Sequence, residues 1–485
     1  MSLPAGLSYE FGAIKLSTNA VAFADGGVGF DAAGALVTTA AAPTFGVNGN
    51  PATALGPVSV IAKASAVSPL NQQNGLTYDA NGRLVVVDWL LATTPFSSAN
   101  GMTFDSSGAL IAGDGAALSL DFTIGTLDSR ITFTRASTAT YTNKSGLIAS
   151  AAVNEARFEY NPITRACLGL LIEEQRTNLI VDSVPISGTW AVAFSTLTNS
   201  SGIAPDGTNA MVKIVATSSA YISLLKSVTV LASTIYTFSW YFDSTNSSLG
   251  ARYRVFDASN ALDILDVAIT YSSGITRYAV TFTTPVGCTS IFVYPVSGNV
   301  NIGTTFYVWG AQLEAGAFAT SYIPTVGASA TRSADVAVMT GANFSSWINL
   351  AEGCFYTKSL KVDLPNVASI TILAAGAADA IQQYMSFTAP VSTVVVGGVN
   401  QATLISAGIT PNTVVKTAMS YKLNEFRYAT NGVSGTPDLS GSIPTSLTTF
   451  SIGNNGSNYF NGYIATCKYW NTAKTDAQLQ VISLG

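Results

Sequence analysis

Three observations predict an all-β chain. A degenerate ten-residue phrase recurs near the N-terminus, the rest of the chain runs in short stretches of alternating apolar and polar residues, and glycine, asparagine and serine separate those stretches. Their order along the 485 residues predicts N-terminal β-hairpin repeats followed by two antiparallel β-sandwich domains. The expected divisions are residues 1–123, a charged junction at 124–182, a first sandwich at 183–330 and a second at 331–485.

The repeat reads GVGFDAAGAL (27–36), GLTYDANGRL (75–84) and GMTFDSSGAL (101–110), and GLSYEFG at 6–12 is a broken fourth copy. In each full copy an aromatic residue ends a strand, Asp31, Asp79 or Asp105 opens a turn, and Gly34, Gly82 or Gly108 supplies a positive φ. Each copy is therefore expected to be a β-hairpin with its aromatic and its leucine on one face. Such short units bury a core only by stacking, which points to a slender shaft or an anchoring segment.

Composition narrows the function. The chain is 10% charged and 48% hydrophobic, well below the ~25% charge of ordinary soluble domains, so apolar surface is expected to be hidden in an oligomer. A trimer is the expected form, because a three-fold assembly lets thin chains cover that surface. No apolar run reaches the roughly 18 residues of a spanning helix, LVVVDWLLA being cut by Asp88, so no membrane insertion is expected. The start, MSLPAGLSYE, lacks the pattern of a secretory signal, so folding is expected in the cytoplasm and assembly into a virion there. Residues 1–123 hold eight acids and three bases, whereas 124–485 hold nineteen of each. With no basic patch, no nucleic-acid partner is expected. Histidine is absent, which removes the usual general base and the commonest zinc ligand. The cysteines Cys167, Cys288, Cys354 and Cys467 are too scattered for a metal knuckle or a disulfide framework.

The charged segment is the most informative. Residues 124–182 carry six acids and six bases in 59 positions, and buried charges must be paired. A polar junction holding domains or subunits in register is expected, with Glu173 and Glu174 as partners for Arg176 and neighbouring arginines. As neighbours on a strand these two glutamates point to opposite faces, so they do not make the carboxylate pair of a glycosidase. The stretch Ile131–Leu179, ITFTRASTATYTNKSGLIASAAVNEARFEYNPITRACLGLLIEEQRTNL, resembles a module of tailed-phage structural proteins. That resemblance implies a virion component.

Strand-like runs YTFSWYF (236–242), RYAVTFTT (277–284) and TSIFVYPV (289–296) follow. Trp190, APDGTNA (204–210) and FYVWGAQLEAGAFATSYIPT (306–325) resemble carbohydrate-binding-module-like jelly rolls. The end of the chain, SIGNNGSNYFNGYIATCKYWNTAKTDAQLQVISL (451–484), resembles concanavalin-like or laminin-G-like sandwiches, in which a last strand precedes a short helix. Thr475 and Gln478 form a capping box for that helix, and Leu479 and Ile482 give it an apolar stripe.

Sugar-binding sandwiches stack pyranose faces on exposed aromatic rings and read hydroxyls with nearby polar groups. The glycan-binding candidates are Trp190, Tyr241, Arg252 and Tyr253 in the first sandwich and Trp347, Asn454, Asn458, Tyr459 and Asn461 in the second. Alternation puts Trp240 in the core and Tyr241 outside. No cofactor is required; the jelly-roll resemblance implies that a structural calcium can occur in such loops, with Asp206 as the candidate ligand, while the Asp206–Gly207 step is the first expectation for a plain turn. No active site is expected. The expected function is that of a phage virion appendage, anchored by its N-terminus to other virion proteins and adhering to host surface glycans. The competing expectations are a purely structural decoration protein of capsid or tail, and a polysaccharide-depolymerising tailspike.

Overall fold

A computed structural model of the chain describes residues 115–484, apart from 245–249, 273, 362–367, 376–377, 387–388 and 411, together with the backbone of eight short strands before them. It divides into two units, residues 1–115 and 116–485. In the first unit the strands pair as four antiparallel hairpins. Three are the full repeats, with Phe30 opposite Leu36, Tyr78 opposite Leu84 and Phe104 opposite Leu110. The fourth, Leu7–Glu10 with Ala13–Leu16, is the broken copy. The turns carrying Asp31, Asp79 and Asp105 lie outside the described residues.

The second unit is all-β, with two sandwiches and, among the described residues, two short α-helices and one turn of 3-10 helix. The first sandwich packs two five-stranded sheets. One runs Ala191–Ala193, Tyr221–Thr229, Ser290–Asn299, Arg252–Asp257, Leu262–Ala268. The other runs Ser195–Thr198, Val212–Ala216, Thr305–Ala315, Ile235–Ser244, Thr276–Thr283. Alternation along Ile235–Ser244 sends Tyr236, Phe238, Trp240 and Phe242 inward, where they meet Leu224, Val255, Ile291, Val293 and Phe306. The opposite face of this strand is covered as well: Thr237 and Ser239 are buried.

The second sandwich faces a seven-stranded sheet with one that holds Phe158–Tyr160, Cys167–Ile172, Gly462–Trp470, Glu352–Lys361, Val414–Lys422, Glu425–Thr430 and Val433–Ser434. Between them lies a core containing Phe122, Leu170, Trp347, Phe355, Phe426, Phe450 and Tyr469. The closing helix, Asp476–Leu484, starts with the expected box: Thr475 N donates to Gln478 Oε1 at 2.9 Å, and Gln478 N to Thr475 Oγ1 at 3.4 Å. Leu479 is buried, and Ile482 packs at the edge of the same cluster.

The connectivity differs from the expected division. The stretch 124–182 is not a separate junction, and residues 331–485 do not make a sandwich alone. Thr132–Thr134 pairs with Val336–Thr340, Cys167–Ile172 with Gly462–Trp470, and Leu118–Asp121 with the same long strand. The second sandwich is thus built from both sides of the first, which is inserted within it. Chain entry and exit pair as a two-stranded neck, Arg176 opposite Arg332, Thr177 opposite Thr331 and Asn178 opposite Ala330. The segment was legible as polar because its arginines and acids form the neck, while its short strands are too brief to display a period.

Candidate functional site

The neck is held by a buried charge network. Asp335 accepts from Arg135 Nη1 at 3.1 Å and Arg157 Nη2 at 2.5 Å. Glu173 Oε2 meets Arg157 Nη1 at 2.8 Å and Arg332 Nη1 at 3.0 Å, and Ser321 donates to Glu173 through both N and Oγ. Glu174 pairs with Arg176 at 2.5 Å. The expected pairing of this segment's acids with its arginines is present. Burial would raise the Glu173 carboxyl, but Arg332 and Arg157 outweigh it and hold the group at about 2.

Above this network, between the sandwiches, opens a cleft with a cavity of about 150 Å³. Several pieces of chain converge on it. Tyr141 comes from the hairpin Ala139–Thr142 with Ile148–Ala151, and Glu159 and Tyr463 come from strands of the second sandwich. Tyr241 and Arg277 sit opposite each other on paired strands of the first. Phe318 and Ser321 belong to the loop that follows Thr305–Ala315. Two glycines make room. A Cβ at Gly310, where φ is +63°, would press on the Tyr241 ring at 3.1 Å, and one at Gly316 would fall on the Arg176 guanidinium, which itself lies 4.7 Å from the Phe318 centroid.

The polar groups of this cleft are incompletely partnered. Among the described residues, the phenols of Tyr141, Tyr241 and Tyr463 make no hydrogen bond. Burial pushes all three phenols up, so they stay neutral. Glu159 Oε2 accepts from Thr142 N at 2.9 Å, and burial raises this carboxyl to about 7 against the lowering effect of Thr142. The cleft therefore contains two carboxyls of opposite character. Glu173 has both oxygens occupied by Ser321 and arginine donors, so it serves the neck; Glu159 alone is left to face the cavity.

The structure disperses the expected glycan-binding set. Tyr241 and Asn461 line the cleft; Tyr241 is half-buried where exposure was expected, because it packs in a small outer cluster with Trp309, Tyr322 and Ile148. Asn461, at φ +52°, is buried and clasps Glu174, accepting from its N at 2.9 Å and donating to Oε2 at 3.2 Å. Trp190 and Trp347 are core residues at 4% and 5% exposure, their indole N–H groups bonded to Asp182 O and Asn343 O. They offer no platform. Tyr253 packs on Trp240 at 5.4 Å, and Arg252 is engaged by Asp266 at 2.6 Å. Asn454 is buried within its own turn, whereas Asn458 is exposed and Tyr459 half-buried beside it.

The cleft residues missed by sequence reasoning are Tyr141, Glu159, Arg277, Phe318 and Tyr463. All but Arg277 lie in the phrases singled out for their resemblance, which was the available signal. Asp206 turns its own loop, accepting from Thr208 N at 2.9 Å and Oγ1 at 2.6 Å. Calcium takes ~6–8 oxygens; Asp206 brings one carboxylate, and among the described residues no group of three or more His, Cys, Asp or Glu could hold a metal.

Compared with protein-family profiles and with curated sequences, the chain finds no match. Among solved structures it resembles the CBM40 module of a Ruminococcus gnavus IT-sialidase bound to α2,3-sialyllactose, at 12% identity over 29% of this chain and 86% of that one, with a TM-score of 0.26. It also resembles the receptor-binding domain of a botulinum neurotoxin C/D mosaic serotype, at 10% identity over 31% of this chain and 40% of that one, TM-score 0.27. A mutant NanB sialidase from Streptococcus pneumoniae matches at 10% identity over 30% and 26%, TM-score 0.26. At these scores the likenesses carry no argument about function.

Proposed function

We propose that this chain is a non-enzymatic virion appendage of a tailed phage. It is a homo-oligomer anchored by its N-terminal hairpins to other virion proteins, and it adheres to host cell-surface glycans through the cleft between its sandwiches. The observation that carries glycan binding is the gathering of Tyr141, Tyr241 and Tyr463, with unpartnered hydroxyls, around a cavity of about 150 Å³. Rings that bury sugar faces and hydroxyls that read them are the two requirements of such a site. Placement in a virion rests on the resemblance of Ile131–Leu179 to phage modules. Among the described residues no helix is long and apolar enough to cross a membrane.

Depolymerisation is disfavoured by the state of the carboxyls, since a glycosidase of the usual kind needs two that are free to act and Glu173 is saturated. The purely structural reading draws on the burial of Trp190 and Trp347. A glycan array probed with the full chain separates it from adhesion. Retention of defined glycans, lost in Tyr241→Ala and in Tyr463→Ala, is the expected result. Retention of none, or retention unchanged by both variants, would leave the cleft without this role.

A further inference from the structure

Resting on the glycan-binding reading above, we propose that the cleft selects sugars that carry a carboxylate, the anion pairing with Arg277 while the ring lies among Tyr141, Tyr241 and Tyr463. The starting point is an asymmetry among the arginines around the neck. Arg135 and Arg157 meet Asp335, Arg157 and Arg332 meet Glu173, and Arg176 meets Glu174. Arg277 differs: among the described residues it has no carboxylate partner. Its Nη1 donates to Thr320 O at 2.7 Å and its Nη2 to Ser239 Oγ at 3.0 Å, both neutral oxygens, and its Nε is buried without a partner. Each terminal nitrogen carries a second N–H that those bonds do not use. A half-buried cation lacking a counter-charge is costly, and here it borders an open cavity.

The surrounding charges point the same way. Arg135, Arg157, Arg176, Arg277 and Arg332 face Glu173, Glu174, Asp335, Glu314 and Glu159. Glu314 is buried and accepts from Thr320, so it belongs to the network. With Glu159 raised to about 7 by burial, the carboxyl that faces the cavity keeps its proton under mildly acidic conditions and supplies no counter-charge to Arg277. The positive charge of Arg277 is what an anionic ligand would neutralise. The rings then distinguish a sugar acid from a bare anion. The Arg277 guanidinium lies 5.6 Å from the Tyr241 ring centroid, so a carboxylate there sets its sugar against the phenols. At roughly 30 Å³ per water the cavity holds about five waters, the scale of one sugar ring.

The test uses the full chain and two probes of the same ring, methyl β-glucuronide and methyl β-glucoside, which differ in a carboxylate at one carbon. Binding is read by calorimetry and saturation-transfer NMR at about pH 6, where charge-assisted pairing predicts the glucuronide about tenfold tighter. Arg277→Gln should bring the glucuronide down to the glucoside's affinity, and Tyr463→Phe should weaken both alike. Should Arg277→Gln fail to fold, the wild-type preference must shrink as salt is raised, since it is electrostatic. Equal affinity for the two probes, or a preference indifferent to both Arg277→Gln and salt, overturns the proposal and leaves glycan binding standing. Failure of both probes, together with an array on which no neutral or acidic glycan is retained, removes the broader reading as well. A cavity filled only by water would give that last result.

Discussion

Glu159 is the residue on which pH acts most simply. Its carboxyl is raised to about 7 by burial, and the groups facing it are Tyr141, Thr142, Arg157, Glu173, Tyr241 and Tyr463. Between about pH 4.5 and 7 the unfolded chain has this group ionised while the folded chain keeps its proton. The folded state then binds more protons, so stability falls as pH rises through that window and is level above it. The difference between 4.5 and about 7 bounds the effect at about 3 kcal/mol. Glu173, held at about 2, acts in the opposite sense, and its contribution is lost only as pH falls below about 4.5. The chain has no histidine to titrate in the same window. Glu159→Gln keeps the acceptor for Thr142 N and removes the titration. Its midpoint in urea is expected to be flat from about pH 5 to 7.5 while that of the wild type declines; parallel curves for the two proteins would contradict this.

At the level of elements, pattern showed some strands and concealed others for a physical reason. Ile235–Ser244 and Thr276–Thr283 are long, and their alternation exposes which face is core; Trp240 was placed correctly on that basis. Thr132–Thr134 and Phe158–Tyr160 have three residues each, too few for a period of two to register. Thr132–Thr134 is placed in the second sandwich by a partner roughly 200 residues away, and Phe158–Tyr160 by its hairpin with Cys167–Ile172, which itself pairs with a strand roughly 300 residues further on; single-sequence periodicity does not report such long-range pairing. The cleft was hidden for the same reason: Tyr141, Arg277 and Tyr463 become neighbours only when the inserted sandwich folds back on the neck. The capping box was legible because its two residues lie three apart. This topology has a consequence for truncation. A fragment of residues 331–485 lacks Leu118–Asp121, Thr132–Thr134 and Cys167–Ile172, and so leaves the long strand Gly462–Trp470 without two of its partners and Leu170 and Ile172 missing from the core. Burying each such aliphatic side chain stabilises by about 1.5–3 kcal/mol, comparable in sum to the whole stability of a domain. The fragment is expected to give collapsed amide-proton dispersion by NMR, and residues 116–485 the dispersion of a folded β protein. A well-dispersed spectrum from 331–485 alone would show that the early strands are dispensable.

For the whole molecule, the open question is what hides its apolar surface. The described residues include Ile163, Val286 and Val326 at 87%, 85% and 90% exposure, spread over both sandwiches, and scattered single residues of this kind are normal on a monomer. The sandwiches therefore give little reason to self-associate. The hairpin repeats are different in kind, since two-stranded units are marginal alone and need stacking partners from their own or another chain. Association of the proposed oligomer is therefore expected to run through residues 1–115. Light scattering on the full chain is expected to give three times the 50.2 kDa chain mass, and on residues 116–485 a single chain. If the truncated protein were also trimeric, the sandwiches themselves would hold the assembly, and the cleft would have to be sought at a three-fold interface. With a shaft-held trimer, three clefts stay open and act together, so that sites each of weak affinity gain the roughly 10²–10⁴-fold avidity that adhesion to a repeating surface polymer requires.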